Sequence, residues 1–397
     1  MSDSYQDKRG AKFKAFTLLL SSAVFLLLTV FVASDAEAVP MFARRIGRDC
    51  TYCHTLFPKL NETGRVFRGG GFRFEDEDGW QDVRDWSSVP LSVEVEVEGA
   101  YDDIKTSGAE NQSSDMLVEE VEVFAGSPMG KTGRVTVFGV LAVEQTDGGS
   151  TGYESKIPTA FIQVNDLVGP TGAGRLNLKA GQAAITLPFV GGQQKFIQRR
   201  HLAEQTLGIF SAEQRLVELN GQIIREDGER SLSHRYSLGI SREEVESDDK
   251  FKGLFATYMC NLNEIYSLGA IYRSGEEGSG ASDVSYNKYG LAGEADFETI
   301  VVTAGYFGAD RSGLAEQVNY LVEAAYIPTA KISLGARYDV VKEKGKKSAR
   351  SHNLMARYNI LSNVFAMLEY RGLDDDDHVT SSNEEEGNLR AFFVALF

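Results

Sequence analysis

The sequence predicts a mainly β fold: a closed antiparallel barrel of an outer membrane, with about sixteen strands, preceded by a small helical segment. Three observations predict it. Apolar and acidic residues alternate with period two, as in Leu91, Val93, Val95 and Val97 against Glu94, Glu96 and Glu98, and Val121 and Val123 against Glu120 and Glu122. Such segments are even in number, and their connections alternate between short and long. The chain ends on an alternating aromatic strand, Ala391-Phe392-Phe393-Val394-Ala395-Leu396-Phe397. Forty glycines, 23 Phe and 16 Tyr against only eight prolines suit such a fold better than a helical bundle.

Taken in order, the candidate strands are 91–101, 117–125, 133–145, 157–165, 174–182, 215–226, 232–244, 251–261, 264–273, 284–296, 299–308, 316–327, 331–342, 349–359, 363–371 and 387–397. Short connections at 261–264, 327–330 and 359–363 alternate with long ones at 274–283, 343–349 and 372–386. That is the topology of periplasmic turns and external loops, with both barrel ends periplasmic. A soluble sandwich also alternates, but it hides its apolar face against a second sheet. A transmembrane barrel shows that face to lipid and keeps a wet, polar interior, which suits the glutamates.

Three further features sit on this frame. The longest connection, 184–214, is external by parity and carries Phe196-Ile197-Gln198-Arg199-Arg200-His201. It either folds into the lumen as a constriction loop or caps the barrel outside. Cys260 near a strand end is expected to be a buried small residue rather than a ligand. The run Asp374-Asp375-Asp376-Asp377-His378, with Glu384-Glu385-Glu386, falls on the last external loop. Its oxygen ligands suit hard cations, and a solvated, self-repelling loop explains it equally.

The N-terminus reads as an export signal. Lys8, Arg9, Lys12 and Lys14 precede an apolar run from Ala15 to Ala33, and Ala36-Glu37-Ala38 is a small-x-small cleavage site. The expected organisation is a signal peptide at 1–38, a cassette at 39–74, a polar linker at 75–89 and the barrel at 90–397. An uncleaved anchor is the other reading of the apolar run. Charge is unevenly placed. Residues 39–74 hold seven Arg or Lys against Asp49 and Glu62, a net +5, whereas the chain as a whole carries −16. Since 1–38 is balanced, 75–397 carries −21. This acidic balance excludes nucleic acid as a partner. It also leads to the expectation that Arg44, Arg45, Arg48 and Arg65 dock on the inward glutamates.

Residues 50–54 read Cys-Thr-Tyr-Cys-His, the attachment pattern of a single covalent haem c. Two thiols three residues apart reach the two vinyl groups of one porphyrin edge, and the adjacent His binds the iron from one side. Cys50, Cys53 and His54 are therefore the candidate cofactor-binding residues, with His54 as the metal ligand. A zinc site would need further Cys or His nearby, and the next His is His201. The sixth ligand stays open between Met41, His201, the Val39 amine and no ligand at all.

Phe42-Ala43-Arg44, Gly47, Cys50-Thr51-Tyr52-Cys53-His54, Pro58, Leu60-Asn61, Gly64-Arg65 and Phe67 resemble the N-terminal cassette of the fused cytochrome–porins of iron-oxidising bacteria. The C-terminal Phe397 strand likewise resembles the signal by which outer-membrane barrels are recognised for assembly. The cassette match covers about 35 residues. The resemblance implies an outer-membrane protein whose one haem takes electrons from extracellular ferrous iron and passes them to a periplasmic c-type cytochrome. Outward flow to an extracellular metal, a diffusion porin with a haem plug or sensor, and oxygen or peroxide chemistry at an open iron are the other readings.

Overall fold

The computed structural model describes residues 40–397 except 76, 81–88, 107–108, 146–151, 193, 229, 243–250, 278–283, 376, 378 and 380–384. The expected signal peptide at 1–38 and most of the expected linker lie outside the described residues. No described helix is long and apolar enough to cross a membrane.

Two short helices, α1 (Met41–Ile46) and α2 (Glu62–Gly69), flank a 3-10 turn at Cys50–Tyr52 and a small hairpin of β1 (His54–Leu56) and β2 (Lys59–Leu60). Sixteen strands then close into one barrel: β3 (Leu91–Thr106), β4 (Ala109–Met129), β5 (Val135–Gln145), β6 (Tyr153–Val164), β7 (Asn177–Ile185), β8 (Ser211–Asp227), β9 (Arg230–Arg242), β10 (Gly253–Leu262), β11 (Tyr266–Glu277), β12 (Val284–Asp296), β13 (Ile300–Arg311), β14 (Gln317–Thr329), β15 (Ile332–Glu343), β16 (Ala349–Leu361), β17 (Val364–Asp374) and β18 (Glu385–Leu396). Every pairing is antiparallel between sequence neighbours, and β18 closes on β3. The last strand seals the seam, because Phe397 and Val93 exchange backbone hydrogen bonds of 2.8 and 2.9 Å.

The expected strand number and loop parity hold, and the expected strand ends do not. β3 and β4 run on to Thr106 and from Ala109, so the expected long loop between them shrinks to two residues. The added stretch, with Asp102, Asp103, Asn111, Gln112 and Asp115, is polar on both faces. Its ladder has no apolar side to alternate, which is why the period-two pattern fades there. A bulge between Glu96 and Val97 keeps Glu94 opposite Glu122 and Glu96 opposite Glu120, but places Leu117 opposite Glu98.

The outer face is apolar. Leu268, Leu291, Val322 and Leu354 are each more than half exposed on it. Tyr272, Tyr306, Tyr320, Tyr338 and Tyr370 form an exposed aromatic row towards the long-loop end. Tyr266, Phe297, Tyr326 and Tyr358 form another at the short-turn end. An apolar band between two aromatic girdles is the surface that matches a bilayer. Cys260 lies in register with His234 on this outer face, half-buried, so the expectation of a buried residue is corrected. In β10 the buried residues are Phe255, Met259 and Asn261, and Cys260 falls on the opposite side of the pleat.

The inner face is polar and paired: Glu323 with Arg337 at 3.3 Å, Asp339 with Asn319, and Arg390 with Glu98. Two bodies fill the lumen. One is the connection 186–210, whose Leu187, Phe189, Ile197, Leu202, Leu207 and Ile209 are fully buried. Its backbone is held by the wall: Glu323 accepts from Phe196 N, Glu369 from Gln198 N and Asp339 from Leu202 N. The longest loop therefore folds inward, and it carries one π-helical turn at Ala203–Leu207. The other body is the N-terminal cassette.

Candidate functional site

Local sequence rules shape the attachment turn. Gly47, in the left-handed region at φ 64°, ends α1. The Asp49 side chain accepts from Thr51 N at 3.1 Å and opens the 3-10 turn, which closes with Cys53 N donating to Cys50 O at 3.2 Å. Asn61 caps α2 by accepting from Gly64 N at 2.9 Å. Gly64 packs on the Cys53 carbonyl so closely that a Cβ would collide with it, which keeps α2 against the turn.

Cys50 and Cys53 therefore share one turn, and neither thiol is in a disulfide. Burial raises the Cys50 thiol and pushes Cys53 up to about 11. His54 follows directly. Its Nδ1 lies 3.0 Å from the Pro58 carbonyl, which fixes the ring and makes Nε2 the candidate ligand atom. Burial lowers its pKa to about 4, so the imidazole is neutral, as metal ligation needs. Two free thiols in one turn beside a pinned neutral imidazole fit haem c. His54 contacts the Phe57 ring at 5.1 Å, Phe57 approaches Phe365, and the Phe57 carbonyl accepts from Arg357.

The candidate sixth ligands lie elsewhere. Met41 is buried against the start of β3, its N–H donating to Ser92 Oγ at 2.6 Å. His201 is buried in the inward loop, its Nε2 3.8 Å from Glu323. Among the described residues neither meets His54 through a hydrogen bond or ring contact, and Val39 lies outside them.

The cassette sits within the short-turn end of the barrel. Glu294 on β12 holds Lys59 at 2.6 Å and Arg65 at 2.5 Å, all three nearly inaccessible. Glu62 binds Arg235 on β9 at 2.7 Å and accepts from Ser233 at 2.6 Å. Arg73, fully buried, pairs with Asp166 in the turn between β6 and β7. An aromatic stack runs from Phe42 through Phe72 to Phe138 on β5, with ring centroids 4.9 and 5.1 Å apart. Cassette and inward loop also clasp each other: Lys59 Nζ donates to Phe189 O at 2.7 Å and Leu60 N to Gln194 Oε1 at 3.1 Å. Leu56, Phe196 and Ile197 share one apolar cluster with Phe365 and Phe392 of the wall.

The expected partners of the cassette arginines are corrected. Arg44 donates to the Val89 and Leu91 carbonyls, Arg45 to Phe72 O and Glu77, and Arg48 lies over the Tyr52 ring. Arg65 does reach a wall carboxylate, and that one is Glu294 rather than a β3 or β4 glutamate. Sequence reasoning missed Glu294, Arg235 and Asp166, whose alternation looks like that of any strand or turn. In the acidic run, Asp375 accepts from Val379 N at 2.7 Å and Asp377 from Lys347 N at 2.6 Å. Asp376, His378 and Glu384 lie outside the described residues, and no group of three potential metal ligands forms among the described ones.

No family model matches the chain, and no curated protein matches it. Among solved structures it is similar to an anion-selective porin from Comamonas acidovorans, with a TM-score of 0.56 and 11% identity over 77% of this chain and 98% of that one. It is also similar to OmpT of Vibrio cholerae, at 0.52 and 12% over 77% and 97%. OmpF of Salmonella typhi scores 0.50 at 11%, with the same coverage. At these identities the likeness is one of fold. The class is thus a sixteen-stranded outer-membrane barrel of porin architecture, here with a Cys-x-x-Cys-His cassette within its lumen.

Proposed function

We propose that this protein transfers electrons across the outer membrane through one covalent haem c attached at Cys50 and Cys53 and ligated by His54. The observation that carries this reading is the seating of the cassette that bears the attachment turn in the short-turn end of the barrel, by the Glu294 and Glu62 ion pairs. An empty barrel insulates with a wall about 25 Å tall, and a tethered cytochrome reaches nothing outside it. A redox centre within the lumen answers both.

When bound, the haem supplies a one-electron couple. The chain does the rest. His54 is held by Pro58 O in the orientation that offers Nε2. The inward loop screens the hairpin His54–Leu60 from the external mouth. Gly47, Arg48, Asp49, Thr51 and Tyr52 are exposed beside Cys50 and offer a surface to a periplasmic c-type cytochrome. Extracellular ferrous iron is the proposed donor. It leaves as ferric iron, one electron passing inward per ion.

A diffusion porin with a haem plug is the second reading, favoured by the porin architecture of the structural neighbours. The two part on one experiment. In intact cells, the haem absorbance should respond to an extracellular donor too large for the pore, and purified protein should be reduced by ferrous iron. Protein that stains for covalent haem but responds to neither donor is a plugged porin. Protein without covalent haem refutes the electron-transfer reading altogether.

A further inference from the structure

The lumen is not filled evenly. Between α2, the inward loop and the inner face of β6–β10 lies a cavity of about 130 Å³, open to the lumen. His54 and Phe57 face the other wall, at β16 and β17, and β8 lies eight strands from β16 in a ring of sixteen. The cavity therefore sits across the barrel from the attachment site.

Four cations line it, and three are matched. Arg65 is 2.5 Å from Glu294, Arg235 is 2.7 Å from Glu62, and Lys179 is 3.3 Å from Glu218. Arg68 is the exception. It stands on the last turn of α2 and is exposed to the cavity, although the helix is inside the barrel. Among the described residues it has no hydrogen-bond or ion-pair partner. The one carboxylate whose charge reaches it, Glu218, is already held by Lys179. Arg68 is thus left without a carboxylate of its own among the described residues. Beside it, Ser237 Oγ and Thr257 Oγ1 lie 2.7 Å apart, and two hydroxyls sharing one hydrogen bond keep a second hydrogen to donate. The lining also offers apolar side chains in Leu60, Ile185 and Phe255, among the polar Gln163, Asn220 and Glu218.

We infer that this cavity binds a small carboxylate, its oxygens on the Arg68 guanidinium and its apolar body against Leu60, Ile185 and Phe255. The planar guanidinium fork matches a carboxylate with two parallel hydrogen bonds, and such charge-assisted pairs are the strong ones. The carboxylate comes from one of two sources: a free solute entering the lumen, or the propionate of a haem attached to the cassette. The site itself does not depend on the haem reading, since Arg68 and its cavity are present without it.

Benzoate is the probe, titrated calorimetrically into the full-length protein with its haem and into the haem-less Cys50→Ala/Cys53→Ala variant. Barrel assembly is checked by heat-shifted gel mobility. Binding to both forms assigns the site to a free solute. Binding to the haem-less form alone assigns it to the propionate. In either case Arg68→Gln should weaken benzoate at least tenfold, and Arg68→Lys, which keeps the charge but not the fork, should fall between. Among the described residues Arg68 has no hydrogen-bond or ion-pair partner, so neither substitution should affect assembly. No binding to either form, or binding unchanged by Arg68→Gln, overturns the inference.

Discussion

Replacing Glu294 with Gln tests whether charge holds the cassette in the lumen. Its two carboxylate oxygens lie 2.6 Å from Lys59 and 2.5 Å from Arg65, and Thr303 donates to it at 3.1 Å. The three charged side chains are 1–3% exposed. Gln keeps the volume and an acceptor but removes the charge, and two buried cations lose their counterion. Removing one member of a buried pair costs about 3–5 kcal/mol. Arg65 keeps Ser267 and a 3.9 Å approach to Glu62, so the lower figure applies. At about 1.4 kcal/mol per tenfold, roughly 3 kcal/mol raises the undocked population by about two decades. The ladders on either side of β12 do not involve this side chain, so the barrel should stay closed while the cassette loosens.

Native-state hydrogen exchange on peptides spanning 59–70 reads this directly. Amides of α2 should exchange about a hundredfold faster in Glu294→Gln, while those of β12 and β13 stay as they were. Adding Lys59→Met removes one orphaned cation and should recover part of the protection. Exchange in α2 within threefold of the parent refutes the reasoning. Equal acceleration in β12 and β13 refutes it too, because Glu294 would then be holding the wall rather than the cassette.

Cys50→Ala with Cys53→Ala should abolish haem staining on a denaturing gel, and persistent staining there would contradict the attachment reading. His54→Ala should keep the stain but change the ligand-field bands of the visible spectrum. Deleting Phe397 removes its hydrogen bonds to Val93 at the seam and should reduce the heat-shifted band, whereas deleting 380–383 in the last long loop should leave it intact. Arg73→Ala leaves the buried Asp166 carboxylate without its cation and should destabilise the cassette end by about 3–5 kcal/mol, read as protease sensitivity of residues 40–74. Gly64→Ala drives a methyl into the Cys53 carbonyl and should lower haem incorporation with the barrel unaffected.

The barrel was legible because its two solvents differ. One strand face meets hydrocarbon and the other meets water, so the alternation of Leu91–Glu98 writes the fold into the sequence. Where a hairpin meets water on both sides, as from Asp102 to Asp115, the pattern vanishes and strand ends were misplaced. The aromatic girdles could not be read either. Tyr306 and Tyr320 become neighbours only through the pairing register, 14 residues apart in sequence. The attachment residues were legible because their chemistry demands a fixed spacing, whereas the docking partners were not. Electrostatic balance led to the expectation of a basic cassette docked on an acidic barrel, but net charge says nothing of which carboxylate takes which arginine. The glutamates of β3 and β4 were the conspicuous candidates, and the ion pairs formed instead with Glu294 and Asp166, single acids in unremarkable segments.

That outcome bears on why the cassette is docked at all. Residues 40–74 are too few to bury a core of their own, since chains below roughly 40 residues usually need outside support. Here the support is the barrel: Phe42 and Phe72 stack on Phe138, Leu56 joins Phe365 and Phe392, and the buried cations find their counterions on β9 and β12. The cassette is thus a part of the barrel's interior that happens to precede it in sequence. The inward loop completes the arrangement by meeting it at Lys59 and Leu60, while Cys50 is buried beside Ser362 in the short turn between β16 and β17 and its neighbours Thr51 and Tyr52 are exposed. Held by the inward loop at Lys59 and Leu60 and exposed at the short-turn rim, the cassette is arranged as the proposed exchange of electrons would need. A redox partner needs only to approach Arg48 and Tyr52 at the rim, whereas a solute passing His54 would have to part the loop from the hairpin.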